Sequence, residues 1–171
     1  TSWTRPDAGY EAALERFARG VLAEREDNAF MADLHRVVAA LDRYGALNGI
    51  SLTLLKYGSP GVPDVYQGCE LIERSLVDPD NRRPVDFDQR ARMLQALEAL
   101  DTGKQLEAAV QALAAEPSDG RAKLWLIWRL LSLRRRWPEL FREGSYEPLE
   151  VQGDRALHVI AFARRHEGRA L

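Results

Sequence analysis

Ser59-Pro60-Gly61-Val62-Pro63-Asp64-Val65-Tyr66-Gln67-Gly68-Cys69-Glu70, with the run Ser75-Leu76-Val77-Asp78-Pro79-Asp80-Asn81-Arg82-Arg83-Pro84-Val85-Asp86 behind it, constrains this chain more than any other feature. Prolines and glycines punctuate one short apolar segment, Val62 to Tyr66, the pattern of a brief buried strand entered through a tight turn. The loop beyond it is dense in ionisable and amide groups. A buried strand whose C-terminal end opens into a polar loop is the arrangement on which barrel enzymes build their sites.

Helical periodicity governs most of the rest. Tyr10, Leu14, Phe17 and Val21 recur at helical spacing behind Pro6, which suits a first turn. Asp27 or Asn28 can cap a second helix with the stripe Phe30, Leu34, Val37, Leu41 and Tyr44, and the two stripes predict an antiparallel pair. Gly45 reads as a break. Leu47 to Tyr57 then predicts a more buried helix, because Ile50, Leu52, Leu54 and Leu55 surround most of it. Asp86, with Gln89 as in a capping box, predicts a helix from Phe87 that buries Met93, Leu94, Leu97 and Leu100. Gly103 interrupts, and Leu106, Val110 and Leu113 resume the pattern. Glu116 to Gly120 reads as a loop, and Arg121 to Trp137 as a long helix stopped by Pro138. From Tyr146 to Val151 and from Leu157 to Ala163 the period changes to rough alternation about Gly153-Asp154, which predicts a β-hairpin.

Composition excludes several functions. The formal charge of -2 gives no electrostatic reason for nucleic acid or an anionic membrane surface as partner. No run approaches a membrane span, and no apolar segment at the start reads as a signal peptide. The one cysteine, Cys69, cannot form an internal disulfide, and with no histidine in a recognisable arrangement it reads as a reduced thiol rather than a nucleophile. His35, His158 and His166 are isolated, so no metal site is expected. Trp125 and Trp128 read as core rather than as sugar platforms, and Arg134-Arg135-Arg136 as a solvated face at a helix C-terminus.

Pro-Gly-Val-Pro-Asp-Val-Tyr-Gln-Gly-Cys-Glu, residues 60–70, resembles the eighth-strand signature of the α-amylase superfamily, glycoside hydrolase family 13. Residues 75–86 resemble its maltooligosyltrehalose synthase branch. The resemblance continues in order through Thr1 to Pro6 with Tyr10-Glu11, through Lys123 to Phe141, and through His158 to Arg164. It implies a mainly α chain: a C-terminal fragment of a (β/α)8-barrel enzyme with a helical extension, one barrel strand and a C-terminal β-hairpin. The implied divisions are a helical segment over 1–57, the eighth barrel strand and site loop over 58–86, a helical segment over 87–143, and the start of a C-terminal β-domain over 144–171. The lack of an initiator Met agrees with a fragment.

The implied activity is that of an intramolecular transglycosylase, a (1->4)-α-D-glucan 1-α-D-glucosylmutase, which turns the reducing-end α-1,4 linkage of a maltooligosaccharide into α,α-1,1 in cytoplasmic trehalose formation. Another hydrolase or 4-α-glucanotransferase of the superfamily, or a non-enzymatic helical module that binds glucan or a partner, are the alternatives. This chemistry needs a carboxylate nucleophile, an acid/base carboxyl and a further Asp at the ends of earlier barrel strands. None of these maps onto this chain, so its catalytic residues are expected upstream, in the N-terminal remainder of the enzyme. No cofactor is implied. What remains is a wall of the site: Tyr66 to pack on a pyranose face, Glu70 to accept from hydroxyls or hold an arginine, and Asp78, Asp80, Asn81, Arg82 and Arg83 to bind sugar or one another. Trp3 is a weaker candidate platform.

Overall fold

The computed structural model describes residues 1–100 and 106–171. Gly103, read above as an interruption, lies outside the described residues. The elements are α1 (Ala8–Val21), α2 (Ala29–Gly58), α3 (Phe87–Leu100), α4 (Leu106–Ala115), α5 (Arg121–Arg136), α6 (Pro138–Arg142) and four short strands, β1 (Glu147–Pro148), β2 (Phe162–Ala163), β3 (Arg165–His166) and β4 (Arg169–Ala170). Single 3-10 turns occur at Asp80–Arg82, Pro117–Asp119 and Ala156–His158. Among the described residues, no helix is long and apolar enough to cross a membrane.

The chain divides into two compact units, Thr1–Tyr44 and Gly45–Leu171, with α2 contributing to both. In the first, local hydrogen bonds set the helix ends. Asp7 Oδ1 accepts from Tyr10 N at 3.0 Å, so Asp7 caps α1 and Pro6 stands outside it. Asn28 serves two ends at once: its Nδ2 donates to Val21 O and Ala23 O, both at 2.9 Å, and its Oδ1 accepts from Met31 N at 3.3 Å. The expected burial between the two stripes is absent. Tyr10, Leu14, Phe17, Val37, Leu41 and Tyr44 are all exposed, Phe17 to 69 %, and Met31 is the buried apolar residue of this unit. The periodicity holds, but among the described residues these faces stay uncovered.

Nor does Gly45 break the second helix, which runs unbroken over Ala29–Gly58. An interior glycine costs about 1 kcal/mol, less than ending one helix and nucleating another. Leu52 and Leu54, expected to be buried, are exposed for the same reason as the first unit's stripes.

The second unit has a core with α5 at its centre. Tyr57 packs with Ile127 and Leu130, and Leu97 with Leu113 and Leu124, the latter group joined by Leu71, Met93, Leu94 and Trp125. Trp125 thus sits against core, as read from its spacing, while Arg129 lies over the rings of both Trp125 and Trp128 at 5.8 and 5.7 Å. Gly120 opens α5 at φ 82°, a conformation that favours glycine, and a Cβ there would stand 3.3 Å from the backbone of Ile72, so the missing side chain eases the approach of the loop at 68–72. α5 ends at Arg136, just ahead of Pro138 as expected, and the same proline stands at the first turn of α6.

At the C-terminal end the hairpin forms as an antiparallel pair of β1 with β2 in the register Glu147 to Ala163, with the Tyr146 and Phe162 rings 4.9 Å apart. It is shorter than alternation suggested. Residues 156–158 turn as 3-10 helix, and Pro148 brings no N–H to the ladder. A second hairpin, β3 with β4, was not anticipated. Arg164, only 1 % exposed, joins this region to α6: its Nε donates to Ser145 O at 2.7 Å, and its NH2 donates to the carbonyls of Leu140, Phe141 and Gly144 at 3.0, 3.2 and 2.9 Å. A guanidinium there meets the negative end of the helix.

Candidate functional site

The expected barrel strand is not a strand. Residues 62–66 pair with no other segment in the described residues, and Val62 is 94 % exposed. A strand needs a neighbour to satisfy its backbone groups, and here one side chain reaches the segment while another holds the turn that leads into it. Lys56 Nζ donates to Asp64 O at 2.8 Å, while Arg134 donates from NH1 to Tyr57 O at 2.8 Å and from NH2 to Gly61 O at 2.5 Å. Arg134 also lies 4.5 Å over the Phe141 ring. It is a clamp between α5 and the turn after α2, which corrects the reading of the arginine run as a solvated face; Arg135 and Arg136 are exposed.

Past Tyr66, the chain turns with Cys69 N donating to Tyr66 O at 3.2 Å. Gly68, at φ 89°, is buried so tightly that a Cβ would lie 3.3 Å from Glu73 Oε2 and from Val85. Arg90, on the second turn of α3, gathers this corner. Its Nε meets Glu70 Oε2 at 3.0 Å, its NH2 donates to Gly68 O at 2.9 Å, and its NH1 donates to Asp86 O at 3.0 Å. Asp86 in turn caps α3 by accepting from Gln89 N at 2.7 Å, as the capping pattern indicated. Lys123 closes the corner from α5, donating to Leu71 O at 3.0 Å, and burial holds its ammonium below the ordinary lysine pKa. Burial, then the charges of Cys69 and Glu70, raises the pKa of the Tyr57 hydroxyl nearby.

Further along, the charged residues 78–83 bind one another. Arg82 forks onto both carboxylate oxygens of Asp78, and Arg83 pairs with Asp80. Asp80 Oδ2 also accepts from Leu76 N at 2.7 Å, and that backbone donor, before Arg83, holds the Asp80 carboxyl below the usual range. Glu73 is lowered in the same way by Ser75 N at 2.8 Å. The Asp78–Pro79 peptide is cis.

The candidates therefore fall in three places. Asp80, Asn81 and Arg83 line a cleft of about 170 Å³ together with Gln67, Glu73 and Arg90. Glu70 instead borders a groove of about 460 Å³ beside Trp128, Leu131 and Arg135. Tyr66, half exposed, and the Asp78–Arg82 pair line neither. Trp3 is fully exposed in the other unit. His35 and His166 each face a glutamate, Glu24 at 3.3 Å and Glu143 at 3.9 Å, and among the described residues no group of His, Cys, Asp and Glu could hold a metal ion. Arg90, Arg134 and Lys123 were missed by sequence reasoning. Arg90 carried the one usable signal, since it lies a turn beyond the Asp86 cap and so faces back toward the loop.

No family model matches the chain. Two relatives from strains of Mycobacterium tuberculosis, carrying the provisional name maltooligosyl trehalose synthase, are 37% identical over 164 residues, 96% of this chain. The chain spans 18% of those relatives' length. The structure resembles a maltooligosyl trehalose synthase crystal structure with a TM-score of 0.76 at 30% identity, covering 96% of this chain and 21% of that one. It resembles the maltooligosyltrehalose synthase of Arthrobacter ramosus with a TM-score of 0.75 at 36% identity, covering 95% and 19%. The chain is homologous to maltooligosyl trehalose synthases over a fragment-sized part of their length.

Proposed function

We propose that this chain is the C-terminal part of a maltooligosyltrehalose synthase and forms one wall of its active site, in a cytoplasmic enzyme of trehalose biosynthesis. The observation that carries the reading is a match running through nearly the whole chain, loop and helices together, to proteins of that name. Its partners on this reading are the maltooligosaccharide and the remainder of the same polypeptide, with residues 58–86 as the eighth-strand segment and site loop and 144–171 as the start of a β-domain.

The reaction divides the labour. A carboxylate nucleophile displaces the reducing-end glucose through a covalent glycosyl-enzyme, with the acid/base carboxyl protonating the leaving oxygen. The freed glucose must then turn and attack through its anomeric hydroxyl, before water does. The groups that break and make bonds belong to other parts of the polypeptide. What this chain supplies is retention: Tyr66 as an apolar face for a ring, and a loop whose acidic and amide groups hold hydroxyls while excluding water.

The test is a segment exchange. This chain replaces the matching part of the Arthrobacter ramosus enzyme, and the chimera and the isolated chain are each given maltopentaose. Reducing ends should disappear with the chimera, and the isolated chain should turn over nothing. A folded chimera that releases new reducing ends is a hydrolase, one that only redistributes chain length is a glucanotransferase, and either result refutes the reading. So does turnover at an enzyme-like rate by the isolated chain.

A further inference from the structure

Two kinds of contact shape residues 68–86, and they do different things. Within the loop, Arg82 forks onto Asp78, Arg83 pairs with Asp80, Asp80 accepts from Leu76 N, and Glu73 accepts from Ser75 N. These bonds join residues two to four positions apart, so they fix the loop's own shape but not where it stands on the helices. Placement comes from the stems. Gly68 on the first stem lies so close to Val85 on the second that a Cβ would stand 3.3 Å from the Val85 side chain. Arg90 bonds both: its Nε meets Glu70 Oε2 at 3.0 Å and its NH2 donates to Gly68 O at 2.9 Å, while its NH1 donates to Asp86 O at 3.0 Å. We infer that Arg90 is the positioning residue of this loop: one guanidinium, seated on α3, ties the two stems together and sets where the internally braced loop stands against the helical body.

The arrangement calls for arginine. Three acceptors surround the group, one for each of its nitrogens, and a planar fork meets them together, whereas a lysine ammonium is a point charge on a flexible stem and cannot serve all of them from one place. Burial adds weight. The Arg90 side chain is 14 % exposed, while Arg82 and Asp78 are both well exposed, so the pair at the stems is screened less by solvent than the pair inside the loop. Leu71, packed in the core, and Lys123, which donates to Leu71 O, hold the first stem to α5, and Arg90 bonds that stem to the second. The placement stands on these contacts alone. Its importance for turnover rests on the synthase reading.

The two statements are tested apart. In the 171-residue chain carrying Cys69→Ser, spin labels are attached at Val77→Cys in the loop and Ser132→Cys on α5, both exposed positions, and the distance between them is measured by pulsed electron paramagnetic resonance. The parent should give one narrow distance distribution and Arg90→Lys a broadened and shifted one, while the Ser75 and Leu76 amides keep their hydrogen-exchange rates because the bonds inside the loop survive. Arg164→Lys, which alters another guanidinium bound to backbone carbonyls, should lower the melting temperature and leave the distance as it was. Should Arg90→Lys fail to fold, Glu70→Gln, which keeps the side-chain shape and removes its charge, should broaden the distribution in the same sense. A distribution equal to the parent's, the same broadening in Arg164→Lys, or faster exchange at Ser75 and Leu76 overturns the placement. In the segment-exchange chimera, Arg90→Lys should lose about tenfold or more in kcat/KM on maltopentaose, and more than Arg164→Lys loses. An unchanged value overturns the role in turnover. A parent chimera that catalyses the wrong reaction removes the synthase reading, and the placement is then decided by the distance measurement.

Discussion

Thr1–Tyr44 and Gly45–Leu171 are both helical and both amphipathic in sequence, yet the clustered cores lie in the second, while the first buries Met31. In the first unit the caps are satisfied, with Asp7 on α1 and Asn28 on the ends of α1 and α2, while Phe17, Leu41 and Tyr44 stay exposed. In the second, α5 gathers Tyr57, Leu97, Leu113 and Leu124 into cores. Local hydrogen bonding thus specifies where helices begin without supplying what their faces are to meet. Large exposed apolar surface marks an interaction face, and the first unit's stripes form such a surface.

The contrast can be broken by mutation. Leu97→Ala should cost about 3 kcal/mol in urea unfolding, because Leu97 is 2 % exposed and its loss leaves a cavity, whereas Phe17→Ala should change stability by about 0.5 kcal/mol or less. Equal effects would mean that the two units do not differ as described. Arg164→Ala should cost about 2 kcal/mol, since it strips a charged donor from four buried or half-buried carbonyls at the end of α6. A neutral result would show that water or a neighbouring donor serves those carbonyls equally well. Asp7→Ala should cost about 1 kcal/mol and appear as lost helix in far-ultraviolet circular dichroism, because a cap is the chief device holding α1.

A smaller effect sharpens the picture of the loop. The Asp80 carboxyl, held low by Leu76 N and then Arg83, stabilises the fold fully above the pKa of an unfolded aspartate, about 3.9, and loses that contribution as pH falls through its lower folded value. Glu73 behaves likewise through Ser75. Melting temperature followed from neutral to acid pH should therefore fall less steeply for Asp80→Asn than for the parent. An identical acid limb would mean that the Leu76 contact does not persist in solution.

Most helix starts were legible because a cap is a local event. Asp86 with Gln89 announced α3, and the pairs Asp78–Arg82 and Asp80–Arg83 lie close enough in the chain to be read as mutual partners. The continuity of α2 through Gly45 was not legible, since a glycine signals a break only when the residues around it also favour one. Residues 62–66 lie irregular for a physical reason. Their apolar, turn-bounded pattern encodes a strand only where neighbouring strands exist, and here Lys56 and Arg134 occupy carbonyls around the place a neighbour would take. The site showed the same limit. Glu70 and Arg90 are 20 positions apart, and nothing in their spacing couples them until α3 folds back on the loop. Chemistry clustered in sequence was readable, whereas chemistry assembled across the fold was not.

The claim that most needs testing is that the loop from Tyr66 to Arg83 serves sugar and not merely its own packing. In the segment-exchange chimera, kcat/KM on maltopentaose is measured for Tyr66→Ala, Asp80→Ala and Arg82→Ala, with the melting temperature taken on the same samples. At least one of the three should lose about tenfold or more in kcat/KM at an unchanged melting temperature, the size expected for a lost contact to substrate. If all three keep the parent value, or if activity falls only in step with melting temperature, the loop is a structural clamp and the proposed wall is wrong.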